Sequence, residues 1–347
     1  LNRLGVNEKG YFNAFKENTI SNNMKEGKKV VYILLILGFV LLIKGADFFV
    51  DGSSNIARAF HVSPLLIGLT IVAFGTSSPE ATVSIIAALE ENAGVAIGNI
   101  VGSNIFNITL VVGVAALINP LKVESETIRK EIPFTLLASI ALLILVSDVT
   151  LQAVSENLIT RGDGLVILLF FIIFLYYIFE VARNNREKIK EENKGQESTS
   201  WGKNISLTIG GLVGIILGGE LVVNNATEIA LFFGMSETLV GLTIVAVGTS
   251  LPELITSITA AVKKESEIAL GNIVGSNIFN ILFVLGTTAV IHPLTVNSKI
   301  IVDIFIMILL TVILLIFSRT NFKIGKFEGM FLVVAYILYI IFVIIRN

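Results

Sequence analysis

Residues Asp47 to Val123 align without a gap to Glu220 to Val296, at a constant offset of 173. GLTIVAFGTSSPE at 68–80 answers GLTIVAVGTSLPE at 241–253, and GNIVGSNIFNI at 98–108 recurs letter for letter at 271–281. Chance does not produce agreement of that length, so the chain holds two copies of one folding unit. Their surroundings follow from composition. Hydrophobic residues are 54% of the 347 and charged ones only 15%, against about 25% charged in soluble domains, which places both copies in a bilayer. Charge is also segregated, with nine charged residues in the first 29 positions and ten between Arg183 and Lys203.

About 20 apolar residues cross ~30 Å of hydrocarbon, and by that measure spans start near residues 30, 63, 94, 131, 163, 206, 237, 267, 298 and 326. Five lie on each side of a charged linker at 183–204. An odd number per copy sends the second into the membrane in the opposite sense to the first. The expected fold is therefore an all-α membrane protein of ten transmembrane helices, arranged as inverted five-helix repeats at 30–182 and 205–347. Residues 1–29 read as an extramembrane tail, disordered or upstream of a true start at Met24. With the N-terminus outside, the inner loops hold 15 Lys/Arg, against three in the outer loops and C-terminus and six in the tail. That asymmetry predicts both termini outside and a cytoplasmic linker in a multi-pass protein of the cell membrane.

Several chemistries are excluded. The absence of cysteine removes disulfides, thiolate metal sites and cysteine nucleophiles, and His61 and His292 are too few for a histidine-built zinc centre. A net charge of -2 gives no basic field for nucleic acid, and no GxxxxGK[ST] loop is present for nucleotide. No nucleophile, histidine or paired-Asp constellation recurs in the spans, which disfavours an intramembrane enzyme. No cofactor is expected.

Inverted repeats place their binding site near the bilayer midplane, where helices are broken, so the candidates are residues on which the copies agree. Glu80 and Glu253 lie well inside spans, and a carboxylate there costs at least ~2.5–3.5 kcal/mol unless compensated. Each follows a proline, Pro79 or Pro252, that cannot donate to the carbonyl four residues back, Gly75 or Gly248. Thr76, Ser77, Thr249 and Ser250 add hydroxyls on the disturbed turns. Ser103 and Asn107, and likewise Ser276 and Asn280, stand four apart and so share a helix face. Asn99, Asn104, Asn272 and Asn277 are further amides on those helices, without a role assignable from spacing. GNIVG at 98–102 and 271–275 is a small-xxx-small pattern, expected to bring helix backbones close. Asp47 and Glu220 are expected to face water or pair locally, Asp47 with Lys44. Thr70 and Thr243 are expected to bond within their own helices.

The donors are all hard oxygens. Six to eight of them at roughly 2.3–2.6 Å suit Ca²⁺ better than Mg²⁺. Two carboxylates balance one Ca²⁺ or two Na⁺, which makes coupled exchange the natural mechanism. A cation channel also accounts for acids at mid-membrane, but calls for a continuous pore and usually oligomeric symmetry.

The paired GTSxPE and GNIVGSNIFN segments resemble those of the cation/calcium exchanger superfamily, most closely its prokaryotic sodium/calcium exchangers, over roughly residues 30–347. The resemblance implies ten helices with sites where the second, third, seventh and eighth cross. Glu80 and Glu253 would be the central calcium ligands. Thr76, Ser77, Ser103, Thr249, Ser250 and Ser276 would be hydroxyl or carbonyl ligands for sodium, joined by the carbonyls of Ala73 and Ala246. The first and sixth helices would slide to switch access, and a monomeric transport unit is expected. Some potassium-dependent relatives carry Asp where this chain has Asn280, so the resemblance points to potassium-independent exchange of Na⁺ for Ca²⁺. It leaves Ca²⁺/H⁺ antiport as the alternative.

Overall fold

The structure is a computed structural model that describes residues 8–124, 127–192, 201–234, 246–320 and 322–346. Its helices are α1 (Glu8–Phe60), α2 (Pro64–Thr76), α3 (Ser78–Leu89), α4 (Ala93–Ile118), α5 (Ile132–Leu145), α6 (Asp148–Gln152), α7 (Arg161–Glu192), α8 (Trp201–Phe232), α9 (Ala246–Thr249), α10 (Leu251–Val262), α11 (Ser266–Ile291), α12 (Ser298–Arg319) and α13 (Lys326–Arg346). Short strands join the loops: β1 (Leu121–Lys122) pairs with β4 (Lys323–Ile324), and β2 (Asn157–Ile159) with β3 (Leu294–Val296), both antiparallel.

Among the described residues seven helices are long and apolar enough to cross a membrane, and the bent pair α2–α3 makes an eighth. The spans expected near 131 and 237 are not among these: α5 is a 14-residue helix preceded by a π-helical turn at Thr127–Glu131, and 237–245 lie outside the described residues.

The repeat is reproduced in the backbone. α3 and α10, the π-helical turns Asn107–Val111 and Asn280–Val284 inside α4 and α11, and the bounds of α4 and α11 themselves all differ by 173. So do the left-handed turn residues His61 and Gly234, and Glu91 and Lys264.

Polarity sorts the helices. α4 and α11, which carry the Asn- and Ser-rich repeats, are the most buried of the long helices, with every residue of α11 from Ile268 to Phe279 inside. The peripheral helices turn apolar side chains outward, as Ile33, Ile36, Val40 and Ile43 do on α1 and Leu165, Leu169, Ile172 and Tyr176 on α7. In lipid nothing drives Leu or Ile inward, whereas polar groups must find partners inside, so this inversion of the soluble pattern follows from the solvent.

Close backbone approach holds the assembly. On α1, Gly38, Gly45 and Gly52 recur every seven residues and meet Gly218, Gly211 and Thr208 of α8 in descending order, so the two helices cross antiparallel. A Cβ on Gly45 would fall 2.7 Å from the Ile215 nitrogen. The packing expected of GNIVG is present in the second copy, where a Cβ on Gly271 would lie 2.6 Å from the Leu65 carbonyl and one on Gly275 2.7 Å from that of Leu69. Gly98 and Gly102 of the first copy meet no described atom within 4 Å; the counterparts of residues 65–72, at 238–245, lie outside the described residues.

Asp47 corrects the sequence reading. Its partner is Lys263, 2.6 Å away in the loop after α10, instead of Lys44 one turn back on its own helix. The tertiary fold lays that loop over the end of α1, where Asp51 and Asp47 grip one ammonium together. Glu220 is exposed, and Thr70 bonds the Leu66 carbonyl at 2.6 Å, both as expected. Thr243 lies outside the described residues.

Candidate functional site

The site is built on two breaks. Pro79 and Pro252 lack the N–H that would continue the helix behind them, and the chain turns at Ser77 (φ −83°, ψ 7°) and Ser250 (φ −91°, ψ 8°). At the first break α2 and α3 bend by 47°. A new helix starts after each turn, with Glu80 or Glu253 in its first turn, where the positive end of the macrodipole offsets part of the cost of burying a carboxylate. Both acids are fully buried, and among the described residues no Lys or Arg pairs with either.

The halves reach across to each other. The Ser77 hydroxyl donates to Glu253 Oε1 at 2.8 Å, and the Ser250 hydroxyl donates to Glu80 Oε1 at 2.8 Å. These bonds are one contact written twice, related by the offset of 173. Ser250 also stands 3.1 Å from Ser103 Oγ. The two carboxylates are near enough for their charges to interact, and Thr76 and Ser276 flank that of Glu253.

A second reciprocal layer supports the first. Thr76 donates to Asn272 Oδ1 at 2.9 Å and Thr249 to Asn99 Oδ1 at 3.4 Å. Asn99 in turn donates to Ser84 Oγ (2.9 Å) and the Glu80 carbonyl (3.2 Å), and Asn272 to Ser257 Oγ (2.9 Å) and the Glu253 carbonyl (3.4 Å). Each amide thus clips the broken helix of the opposite half to the acid-bearing helix of its own. Ser84 and Ser257 were missed from sequence, though each stands four residues after its Glu, a spacing that marks a shared face.

Of the other expected residues, Asn107 and Asn280 open the π-helical turns of α4 and α11 and are fully buried. Such turns gather at functional sites because they redirect side chains within a continuous helix. The Ala73 carbonyl accepts the Ser77 N–H at 3.0 Å, and Ala246 opens α9. The site therefore joins Glu80, Glu253, Ser77, Ser250 and Ser103 by direct contact and reaches Thr76 and Thr249 through amides.

Several of its atoms have no hydrogen-bond partner among the described residues: Glu80 Oε2, Glu253 Oε2, Ser276 Oγ, Asn280 Oδ1 and both amide atoms of Asn107. A buried polar atom left alone costs about 1–3 kcal/mol, and more if charged. The oxygens among them are donors of the hard type that a cation such as Ca²⁺ takes.

The family model described as sodium/calcium exchanger protein matches residues 30–180 and 203–345, both sides of the linker. The sodium/calcium exchanger MaX1 of Methanosarcina acetivorans is 33% identical over 343 residues, 90% of this chain and 98% of its own. The inner membrane protein YrbG of Escherichia coli is 40% identical over 266 residues, 75% of this chain and 79% of its own. Among solved structures, the sodium-calcium exchanger NCX_Mj soaked with Na⁺ and Sr²⁺ superposes with a TM-score of 0.77 at 34% identity, over 89% of this chain and 97% of that one. This multi-pass membrane protein belongs to the sodium/calcium exchanger family.

Proposed function

We propose that the chain is a secondary antiporter of the cell membrane that exchanges Na⁺ for Ca²⁺ by alternating access, with Glu80 and Glu253 as shared ligands. The observation that carries the reading is the reciprocal pair Ser77–Glu253 and Ser250–Glu80, which brings one acid from each copy into a single buried cluster. Two carboxylates with no basic partner among the described residues match the charge of one Ca²⁺ or two Na⁺. Loading by either neutralises the site, so only the loaded site crosses the membrane interior cheaply. Thr76, Ser77, Ser103, Asn107, Thr249, Ser250, Ser276 and Asn280, with the carbonyls of Ala73 and Ala246, complete the proposed oxygen set. The printed names of MaX1 and NCX_Mj support these ions.

The finer architecture belongs to the same proposal: ten spans in two inverted five-helix halves. The antiparallel crossing of α1 with α8, its counterpart by the offset of 173, supports that inversion. A functional monomer follows from a site completed within one chain.

Ca²⁺/H⁺ antiport is the second reading, favoured by the same absence of a basic partner, since two buried acids also take up protons. Flux of ⁴⁵Ca into proteoliposomes under imposed Na⁺ or pH gradients decides between them. Uptake driven by an outward Na⁺ gradient and indifferent to ΔpH is expected; uptake indifferent to Na⁺ but driven by ΔpH would overturn the first reading.

A further inference from the structure

Asn104 and Asn277 lie outside the proposed ligand set, yet they determine what the amides of that set can present. Asn104 Nδ2 donates to the backbone carbonyl of Asn277 at 3.5 Å. A carbonyl only accepts, so Asn104 must turn its nitrogen there and its Oδ1 the other way. That Oδ1 receives Asn280 Nδ2 at 3.2 Å. With its nitrogen committed, Asn280 leaves its Oδ1 buried and without a partner among the described residues. We propose that Asn104 is a positioning residue which holds the Asn280 amide oxygen-first toward the transported cation. The opposite rotamer would aim two N–H donors at a positive charge.

The equivalent relay in the other half is open. The offset of 173 makes Asn277 the counterpart of Asn104 and Asn107 that of Asn280. Among the described residues, Asn277 Oδ1 and Asn107 Nδ2, the acceptor and donor that would complete it, have no partner, nor has Asn107 Oδ1. Among the described residues the two amides of the site are therefore unequal: Asn280 is preset as an acceptor, and nothing fixes Asn107. Sequence alone hides this, because GNIVGSNIFNI is identical in both copies.

The proposal rests on the exchange reading of the site, and its test separates the two. In an Asn280→Asp background both ends of the side chain are oxygens, so orientation no longer matters. Asn104→Ala, Asn280→Asp and the double variant are reconstituted, with ⁴⁵Ca uptake and the melting shift induced by Ca²⁺ or Na⁺ as readouts. Asn104→Ala alone should raise the KM for Ca²⁺ by about threefold to tenfold, the size of one neutral hydrogen bond, with the maximal rate nearly kept. In the Asn280→Asp background it should change KM by less than about twofold. Equal losses in both backgrounds, or no change in either, would overturn the relay. Should Asn104→Ala fail to fold, Asn104→Leu, which keeps the branched heavy-atom skeleton without donor or acceptor, is read the same way. A wild-type chain that moves no Ca²⁺ defeats the exchange reading, and the relay is then judged by the Na⁺-induced melting shift in the same variants.

Discussion

Lys263 and Asp47, 216 residues apart, are joined twice: the ammonium lies 2.6 Å from Asp47 Oδ1 and 2.8 Å from the Asp47 carbonyl. Asp51 takes the same ammonium at 2.6 Å, while Arg58 and Ser54 of α1 hold Glu265 at 3.0 and 2.9 Å. This end of α1 is thus tied to the α10–α11 loop. At the positions related by the offset of 173, Glu220 and Glu90 carry like charges and Asn224 replaces Asp51.

Lys263→Ala should lower stability in detergent by about 1 kcal/mol, no more, because the two aspartates are partly exposed. Burial lowers the Lys263 pKa, but bonding to Asp47 and Asp51 outweighs it and raises the pKa above the ordinary 10.5. A raised folded-state value means that the stabilisation is complete at pH below 10.5 and is lost as pH rises through the folded value. Melting curves of wild type and variant should differ by a constant amount from pH 7 to 10 and converge above. A gap that widened with alkali would contradict the assignment.

Glu80→Gln and Glu253→Gln each remove one of two anionic donors while keeping an oxygen for Ser250 or Ser77. Folding should survive, and Ca²⁺ affinity should fall roughly 10- to 100-fold, from the ~1.5–3 kcal/mol of one interaction with a charged group. Equilibrium ⁴⁵Ca binding to purified variants measures this. Near-normal affinity in both would remove the acids from the site.

Ser77→Ala and Ser250→Ala delete the two reciprocal bonds, so they should behave alike. Each leaves the opposite glutamate one donor poorer, and Ca²⁺ KM should rise by about tenfold in both. A large effect in one alone would show that the halves share geometry without sharing function.

The duplicated segments made most of this site legible in advance, because an acid after a proline at mid-span is costly and its recurrence at one fixed interval is not accidental. Glu80, Glu253, Ser77 and Ser250 were readable on those grounds, as were the helix breaks. What escaped depends on tertiary placement. Lys44 stands one turn from Asp47 in sequence, but a loop from the other half brings Lys263 to it. The Asn280 amide bonds Asn104 of the neighbouring helix α4, which is itself turned by the Asn277 carbonyl, a relay that no residue pattern records. The π-helical turns at Asn107 and Asn280 are equally silent, since their residue types suit an ordinary α-helix.

The glycines of α1 and α8 give the sharpest contrast between neighbours of one residue type. Added to Gly211, a Cβ falls 2.5 Å from the Phe49 nitrogen and 2.7 Å from the Gly45 carbonyl, backbone atoms that cannot yield without parting the helices. On the adjacent Gly210, a Cβ meets nothing within 4 Å. Gly211→Ala should therefore destabilise by about 1–3 kcal/mol through overpacking. Gly210→Ala should be neutral or stabilising by up to ~1 kcal/mol, since alanine lowers the backbone entropy lost in a helix. If α1 and α8 move along each other during exchange, Gly211→Ala should also slow ⁴⁵Ca uptake with little change in equilibrium Ca²⁺ affinity, because the atoms its Cβ would meet, on Phe49 and Gly45, belong to none of the proposed ligands. Equal melting temperatures for the two variants would show that the seam is looser than the backbone distances require.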